Sequence, residues 1–381
     1  MTLSGSAPAG RVSAWHRCVA FAALLLGFAA AHADDIVVGQ VAPFSGPQAV
    51  TGQAIRAGAQ LYFDAVNARG GVHGHQIRLV TRDDMQKREE TVRLTRALIA
   101  SDAPVALIGS VSTSSLEALA KDGVLAQTST ALVGAVTGAQ SLIGAPNIFI
   151  VKASYHDEVD RLFKQMSSLG QTRVALVYQD DGFGQDVLHS AEAAAAKHGI
   201  TLVARSSYAR NTVAVDKAVA EIAKAQPQVV FVGATTAAAI EFVRQYRQAK
   251  GAGTLYGMSV IDTDAVLRAL GPDGVHGYGF TVVLPLQQQV QRGVVREYVK
   301  LRSASTDKNL SSRSMEGFIA AKALVKVLEG VPSATPAAVS AALARAHIDL
   351  GDYPIDFTDR TRTGSSYVDF AMFGSDGKIV R

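Results

Sequence analysis

Short β-branched runs alternate with longer amphipathic ones along most of the chain, and this rhythm narrows the possible folds more than any other feature. A strand followed by a helix, repeated many times, builds βαβ units around a mainly parallel sheet. Strands are predicted at residues 36–41, 76–81 and 104–108 and near Ala131 and Ile148, with helices at 54–68, 89–100 and 115–122. In the first of these helices Ile55, Ala59, Leu61, Tyr62, Ala65 and Val66 fall at helical spacing. Gly70-Gly71-Val72-His73-Gly74 reads as a turn. A second cycle begins near Tyr155, with helices at 155–169, 184–198, 214–225 and 237–249 and strands at 173–178, 202–206 and 228–232. It ends with a strand at 254–256, a short helix at 264–270 and a strand around Phe280. Three further helices, 294–303, 315–328 and 336–346, and strands at 355–357 and 367–373 break the rhythm and most simply pack back onto the earlier elements.

The expected fold class is therefore α/β with two lobes, each a mainly parallel sheet flanked by helices. Lobe 1 is drawn as residues 34–152 plus about 280–362, and lobe 2 as 153–279 plus about 363–381. A chain that crosses between lobes more than once favours a hinge over a loose tether.

Ahead of this pattern, Arg11 and Arg17 precede an apolar run at 19–31 that closes on Ala31-His32-Ala33. A charged start, a short apolar middle and small residues at a cut site describe a signal peptide over residues 1–33. The run is shorter than the roughly 20 apolar residues of a membrane-spanning helix. Cys18 follows Ala14-Trp15-His16-Arg17, which lacks the small apolar residues of a lipoprotein signal, so the expected product is exported, soluble and without a lipid. Cleavage would remove Trp15 and Cys18, the only tryptophan and cysteine. Disulfides, zinc–thiolate sites and a cysteine nucleophile are then excluded. The formal net charge of +4 includes those two arginines, and no block of like charges suggests a nucleic-acid partner.

Several loops after predicted strands carry polar or small residues. Gly109-Ser110-Val111-Ser112-Thr113-Ser114-Ser115 runs into a helix, and its hydroxyl and free N–H groups gather where the helix dipole favours an anion. The alternative is simple capping by Thr113 or Ser114. Gly134-Ala135-Val136-Thr137-Gly138-Ala139 follows the next strand, and in a parallel sheet both turns would lie at the carboxyl ends of neighbouring strands, where open α/β folds bind ligands. Gln179-Asp180-Asp181-Gly182-Phe183-Gly184 offers polar groups or an aromatic wall in the second lobe, or else a turn with Phe183 in the core. No dinucleotide fingerprint or phosphate loop is present, so nucleotide binding is disfavoured. Tyr246 with Lys250, His73 with His75, and Asp83-Asp84 do not assemble into a catalytic or metal-binding set, and no cofactor or metal is expected.

The order and spacing of Pro43-Phe44-Ser45-Gly46-Pro47, Gly58-Ala59-Gln60-Leu61-Tyr62-Phe63, Asn67-Ala68-Arg69-Gly70-Gly71, Thr81-Arg82-Asp83-Asp84, Leu107-Ile108-Gly109, Gly182-Phe183-Gly184, Glu316-Gly317 and Asp376-Gly377 resemble the periplasmic substrate-binding proteins of branched-chain amino-acid (Leu/Ile/Val) type ABC transporters. The resemblance implies a type I periplasmic binding protein fold, three crossovers, and a ligand held in the interlobe cleft by hinge closure. It places the ligand carboxylate against Thr113 with its neighbours Ser112 and Ser114, and against Ala135 and Thr137, with Phe183 entering from the second lobe. Three positions depart from the family pattern. Ser259 stands where amino-acid binders commonly place an acidic group for the ligand ammonium, and Thr51 and Thr235 stand where aromatic residues often cover the side chain. Asp262 or Asp157 is the expected substitute for the lost carboxylate. The implied function is extracytoplasmic capture of a small carboxylate-bearing ligand, an amino acid or another organic acid, and its delivery by a monomeric protein to an ABC permease. The alternative is a sensor of the same fold, binding an amide, urea or organic acid and reporting to a receptor or regulator, and no enzymatic reaction is expected.

Overall fold

The structure is a computed structural model describing residues 1–6 and 35–381, so the segment read as a signal peptide lies outside the described residues from residue 7 onward. The chain from Asp35 to Arg381 forms one compact unit. It opens with β1 (Ile36–Ala42), α1 (Ala49–Asn67), β2 (Ile77–Asp83), α2 (Arg88–Asp102), β3 (Ala106–Ile108), α3 (Thr113–Asp122), the single turn α4 (Val124–Gln127), β4 (Ala131–Val133) and β5 (Ile148–Phe149). These strands make a parallel sheet in the order β2-β1-β3-β4-β5.

The next stretch holds α5 (Tyr155–Ser168), β6 (Arg173–Asp180), α6 (Gly182–His198), β7 (Thr201–Ala209), α7 (Asp216–Lys224), β8 (Val229–Gly233), α8 (Thr236–Gln248), β9 (Thr254–Gly257), α9 (Thr263–Val275) and β10 (Gly279–Val282). Its parallel strands take the order β7-β6-β8-β9-β10, repeating the winding of the first sheet. The chain ends with α10 (Gly293–Ala304), α11 (Ser314–Gly330), α12 (Pro336–Leu343), β11 (His347–Asp349), β12 (Pro354–Asp356), β13 (Asp369–Phe373) and β14 (Ile379–Val380). β13 joins β10 antiparallel and β14 joins β13, completing a seven-stranded second sheet. This is the two-lobed α/β fold that the alternation of segments predicts.

Central strands of both sheets are apolar and fully covered, as parallel strands flanked by helices must be: all five residues of β8 are buried. The late helices return to the first sheet, where Val295, Tyr298, Phe318, Leu324 and Leu343 share one core with Val38, Ile108 and Val133. α11 is buried around almost its whole circumference, so its apolar residues need no polar face. It lies against α1 with the backbones in contact. A Cβ at Gly317 would fall 2.0 Å from the Ile55 carbonyl oxygen, and one at Gly58 would fall 1.8 Å from that of Ser314. Only glycine permits this approach.

The chain passes from one sheet's layers to the other's after Phe149, after Val282 and after Asp356. The second passage follows β10, whose residues Gly279–Val282 pair with β9 and β13. The short elements α4, β11 and β14 have no counterpart in the sequence reading. β11 is polar and mostly exposed, and β14 has only two residues, so neither carries a strand pattern.

Candidate functional site

The loops at the carboxyl ends of the two sheets face each other around a cavity of about 420 Å³, open at its mouth. From the first lobe it is lined by Gln48, Thr51, Gln86, Val111, Ser112, Thr113 and Val136, and from the second by Tyr155, Gln179, Asp181, Phe183, Thr235 and Val260, with Arg313 completing the wall.

The first-lobe corner is built by the turn between β3 and α3. A bridge between Val111 and Val136 continues the sheet past β3 and β4 and draws the two turns together. Ser112 takes φ 91° and caps α3, its hydroxyl accepting from the Ser115 N–H at 3.5 Å. An unusual φ in a serine marks a place where local strain is over-determined by its surroundings. The N–H groups of Thr113 and Ser114, in the first turn, have no intrahelical carbonyl and sit at the positive end of the helix. Thr113 and Thr137 share a hydrogen bond between their hydroxyls at 2.9 Å. The Tyr155 phenol joins them. Burial pushes its pKa well above the usual value, opposed by hydrogen bonds with Thr137 and Thr113. The Tyr155 ring meets Phe183 edge-on with centroids 5.2 Å apart.

The facing corner is the turn between β6 and α6. Asp181 caps α6, its Oδ1 accepting from the N–H groups of Phe183 at 3.1 Å and Gly184 at 3.3 Å. Gly184 is required here, since a Cβ would fall 1.7 Å from the Gln179 carbonyl oxygen. Asp181 Oδ2 accepts from the Ser114 hydroxyl at 3.1 Å, and that hydroxyl accepts from the Gly182 N–H at 3.1 Å. Arg210, just past β7, lies 3.3 Å from Asp181 and donates to the Gln86 carbonyl at 2.5 Å. The lobes therefore touch across the mouth of the cleft.

The structure brings Ser112, Thr113, Phe183 and Thr235 to this one cavity. Ser114 stands behind it on Asp181, and Thr137 is fully buried beneath Thr113. Ala135 is fully buried among apolar neighbours such as Leu107 and Leu116. Ser259 borders a second cavity of about 700 Å³ beneath the crossover after β10. The substitutes expected for its missing carboxylate lie elsewhere. Asp262 caps α9 through the Ala265 N–H, and Asp157 is held by the Ser154 hydroxyl. The carboxylate beside Ser259 belongs to Glu158. It accepts from the Ser259 N–H and hydroxyl, each at 2.8 Å, and from the Thr281 hydroxyl, and it is fully buried.

Sequence reasoning missed Tyr155, Gln86 and Arg313. Arg313 stands just ahead of α11, donates to the Ser259 carbonyl at 2.8 Å and contacts Glu316 at 2.5 Å. Lys152 lies 3.6 Å from the other Glu316 oxygen, and burial pushes its ammonium pKa down against the pull of that carboxylate. The signal for this cluster is an Arg313–Glu316 pair, three residues apart, opening an otherwise apolar helix.

Two mainly parallel α/β lobes joined by three crossovers, with a small polar and aromatic cavity between their strand ends, define a two-lobed ligand-binding protein. The sequence profile described as Periplasmic binding protein matches residues 35–378, and the chain belongs to this family. It is 25% identical to Leu/Ile/Val-binding protein homolog 7 of Brucella melitensis over 94% of either chain. Among solved structures, it is similar to a substrate-binding periplasmic protein of Ralstonia solanacearum, with 41% identity, a TM-score of 0.88, and coverage of 91% of this chain and 99% of that one. The fold is shared with a solute-binding protein of an R. palustris ABC transporter in complex with benzoate, at 22% identity and a TM-score of 0.76, over 91% of this chain and 95% of that one. The family is one of solute-binding proteins, and membership implies an extracytoplasmic location.

Proposed function

We propose that the protein is the extracytoplasmic solute-binding component of an ABC importer, capturing a small carboxylate-bearing ligand in the interlobe cleft and delivering it to the permease. No reaction on the ligand is involved. The observation that carries this reading is that Thr113 at the start of α3, backed by the Thr137 hydroxyl, meets Tyr155, Phe183 and Asp181 of the other lobe around one cavity. Hydroxyls and first-turn N–H groups suit a carboxylate. The apolar faces of Val111, Val136, Phe183 and Val260 suit a compact organic body. Lobes drawn as 34–152 with about 280–362, and 153–279 with about 363–381, then close on the ligand about the three crossovers. A homologue named for leucine, isoleucine and valine and a fold neighbour holding benzoate support the class of small acids, amino or not.

A thermal-shift screen of amino acids, aromatic acids and aliphatic mono- and dicarboxylates, each beside its amide or methyl ester, tests the proposal. A ligand at 100 times its Kd adds about 2.7 kcal/mol to the folded state. At least one free acid should raise the melting temperature where its ester does not. Equal shifts from acids and esters, or none from any acid, contradict the proposal.

A further inference from the structure

We infer that the ligand carries an O–H or N–H donor read by the side-chain oxygen of Gln86; this rests on the carboxylate-binding reading above. Gln86 lines the cleft cavity and is 2% exposed, yet among the described residues its Oε1 has no hydrogen-bond partner. The other side-chain amide and carboxylate oxygens on the wall already have donors. Gln48 Oε1 accepts from the Thr51 hydroxyl and Gln179 Oε1 from the Tyr208 hydroxyl, each at 3.2 Å. The Asp181 carboxylate takes the Phe183 and Gly184 N–H groups and the Ser114 hydroxyl. A buried acceptor left without a donor is costly. Water can serve the Gln86 oxygen only until a ligand displaces it, and the ligand must then donate in its place or lose affinity.

The backbone that carries this side chain is held in an unfavourable shape. Met85 and Gln86 both take left-handed φ, 50° and 59°, a conformation uncommon for residues with a side chain. It persists because both main-chain groups of Gln86 are anchored. The N–H donates to Asp84 Oδ1 at 2.8 Å, and the carbonyl accepts from Arg210 at 2.5 Å. Backbone strain over-determined in this way collects at ligand clamps. With the main chain fixed on both sides, the side-chain oxygen is left for the ligand. Arg210 reaches Gln86 from the facing lobe, so the approach of the lobes that encloses a ligand also completes the Gln86 anchor.

Calorimetry with matched acids tests this. One set is pentanoate, 2-hydroxypentanoate, 5-hydroxypentanoate, norvaline and 2-oxopentanoate. The other is 3-phenylpropanoate, 3-phenyllactate, 3-(4-hydroxyphenyl)propanoate, phenylalanine and phenylpyruvate. In at least one set a hydroxy or amino acid should bind about tenfold or more tightly than both the plain acid and the oxo acid, whose added oxygen only accepts. The tighter of the hydroxy and amino forms names the source of the donor. Gln86→Met keeps the length of the side chain and removes the oxygen, and should bring the members of that set to within about threefold of one another. A merely structural role would instead lower every affinity by a common factor and keep the ranking. The inference is overturned if the plain or the oxo acid binds as tightly as every donor-bearing acid, or if Gln86→Met leaves the preference intact. Acids that bind without that preference leave the proposed function standing alone, whereas failure of every acid in both sets removes both.

Discussion

At the scale of single residues, the molecule buries charge where the cleft needs shaped loops. Asp84 has no exposed surface, yet its Oδ1 accepts from the Gln86 N–H at 2.8 Å and its Oδ2 from the Thr91 hydroxyl at 2.7 Å. It thereby fixes the turn that carries Gln86 into the cavity. Burial raises the Asp84 pKa despite those hydrogen bonds. A carboxyl whose folded pKa lies above its unfolded value contributes stability that is complete below the unfolded value and is lost as pH rises through the folded one. Asp84→Asn keeps an acceptor for Gln86 and removes the titration. The unfolding free energy of the variant minus that of the parent should therefore rise between pH 4 and pH 7, as measured by urea denaturation at each pH. A difference independent of pH would show that the Asp84 charge is not penalised.

At the scale of elements, the strongest constraint is the backbone contact of α1 with α11. Gly317→Ala places a methyl group 2.0 Å from the Ile55 carbonyl, with backbone rather than a flexible side chain in the way. Overpacking of this kind costs about 1–3 kcal/mol, so chemical denaturation should show a loss in that range. No measurable loss would mean that the two helices separate freely. The elements themselves were largely legible in the sequence. The predicted helix at 336–346 is Pro336–Leu343, and short strands expected near Ala131 and Ile148 are β4 and β5. α1 starts at Ala49 rather than at residue 54 because Pro47 and Gln48 precede a helical turn with no side-chain cap to announce it. Strand order was not legible, since it depends on which distant strands pair, and periodicity records only which face each strand buries.

At the scale of the whole molecule, the cleft is assembled from segments far apart in sequence. The turns after β3, β4 and β6 were readable as site candidates because small and hydroxyl residues follow apolar strands there. Arg313 was not, for its importance arises only when the crossover after β10 and the start of α11 bring it beside Ser259 and Glu316. The same applies to Glu158, which reaches Ser259 from α5, 101 residues away in the chain. Ties between lobes, Ser114 to Asp181 and Arg210 to the Gln86 carbonyl, use the same loops that line the cavity, so closure and ligand contact draw on shared groups. The central claim is that a small carboxylate is held at the Thr113–Thr137 corner. Calorimetric titration of the tightest acid found by the thermal-shift screen into the parent protein and into Thr113→Ala/Thr137→Ala tests it most directly. The account predicts one site per chain and a loss of at least about tenfold in affinity in the double variant, which removes the Thr113 hydrogen bond of roughly 1.5–3 kcal/mol and the Thr137 hydroxyl that orients it. Equal affinity in the two proteins, with both folded, would contradict it.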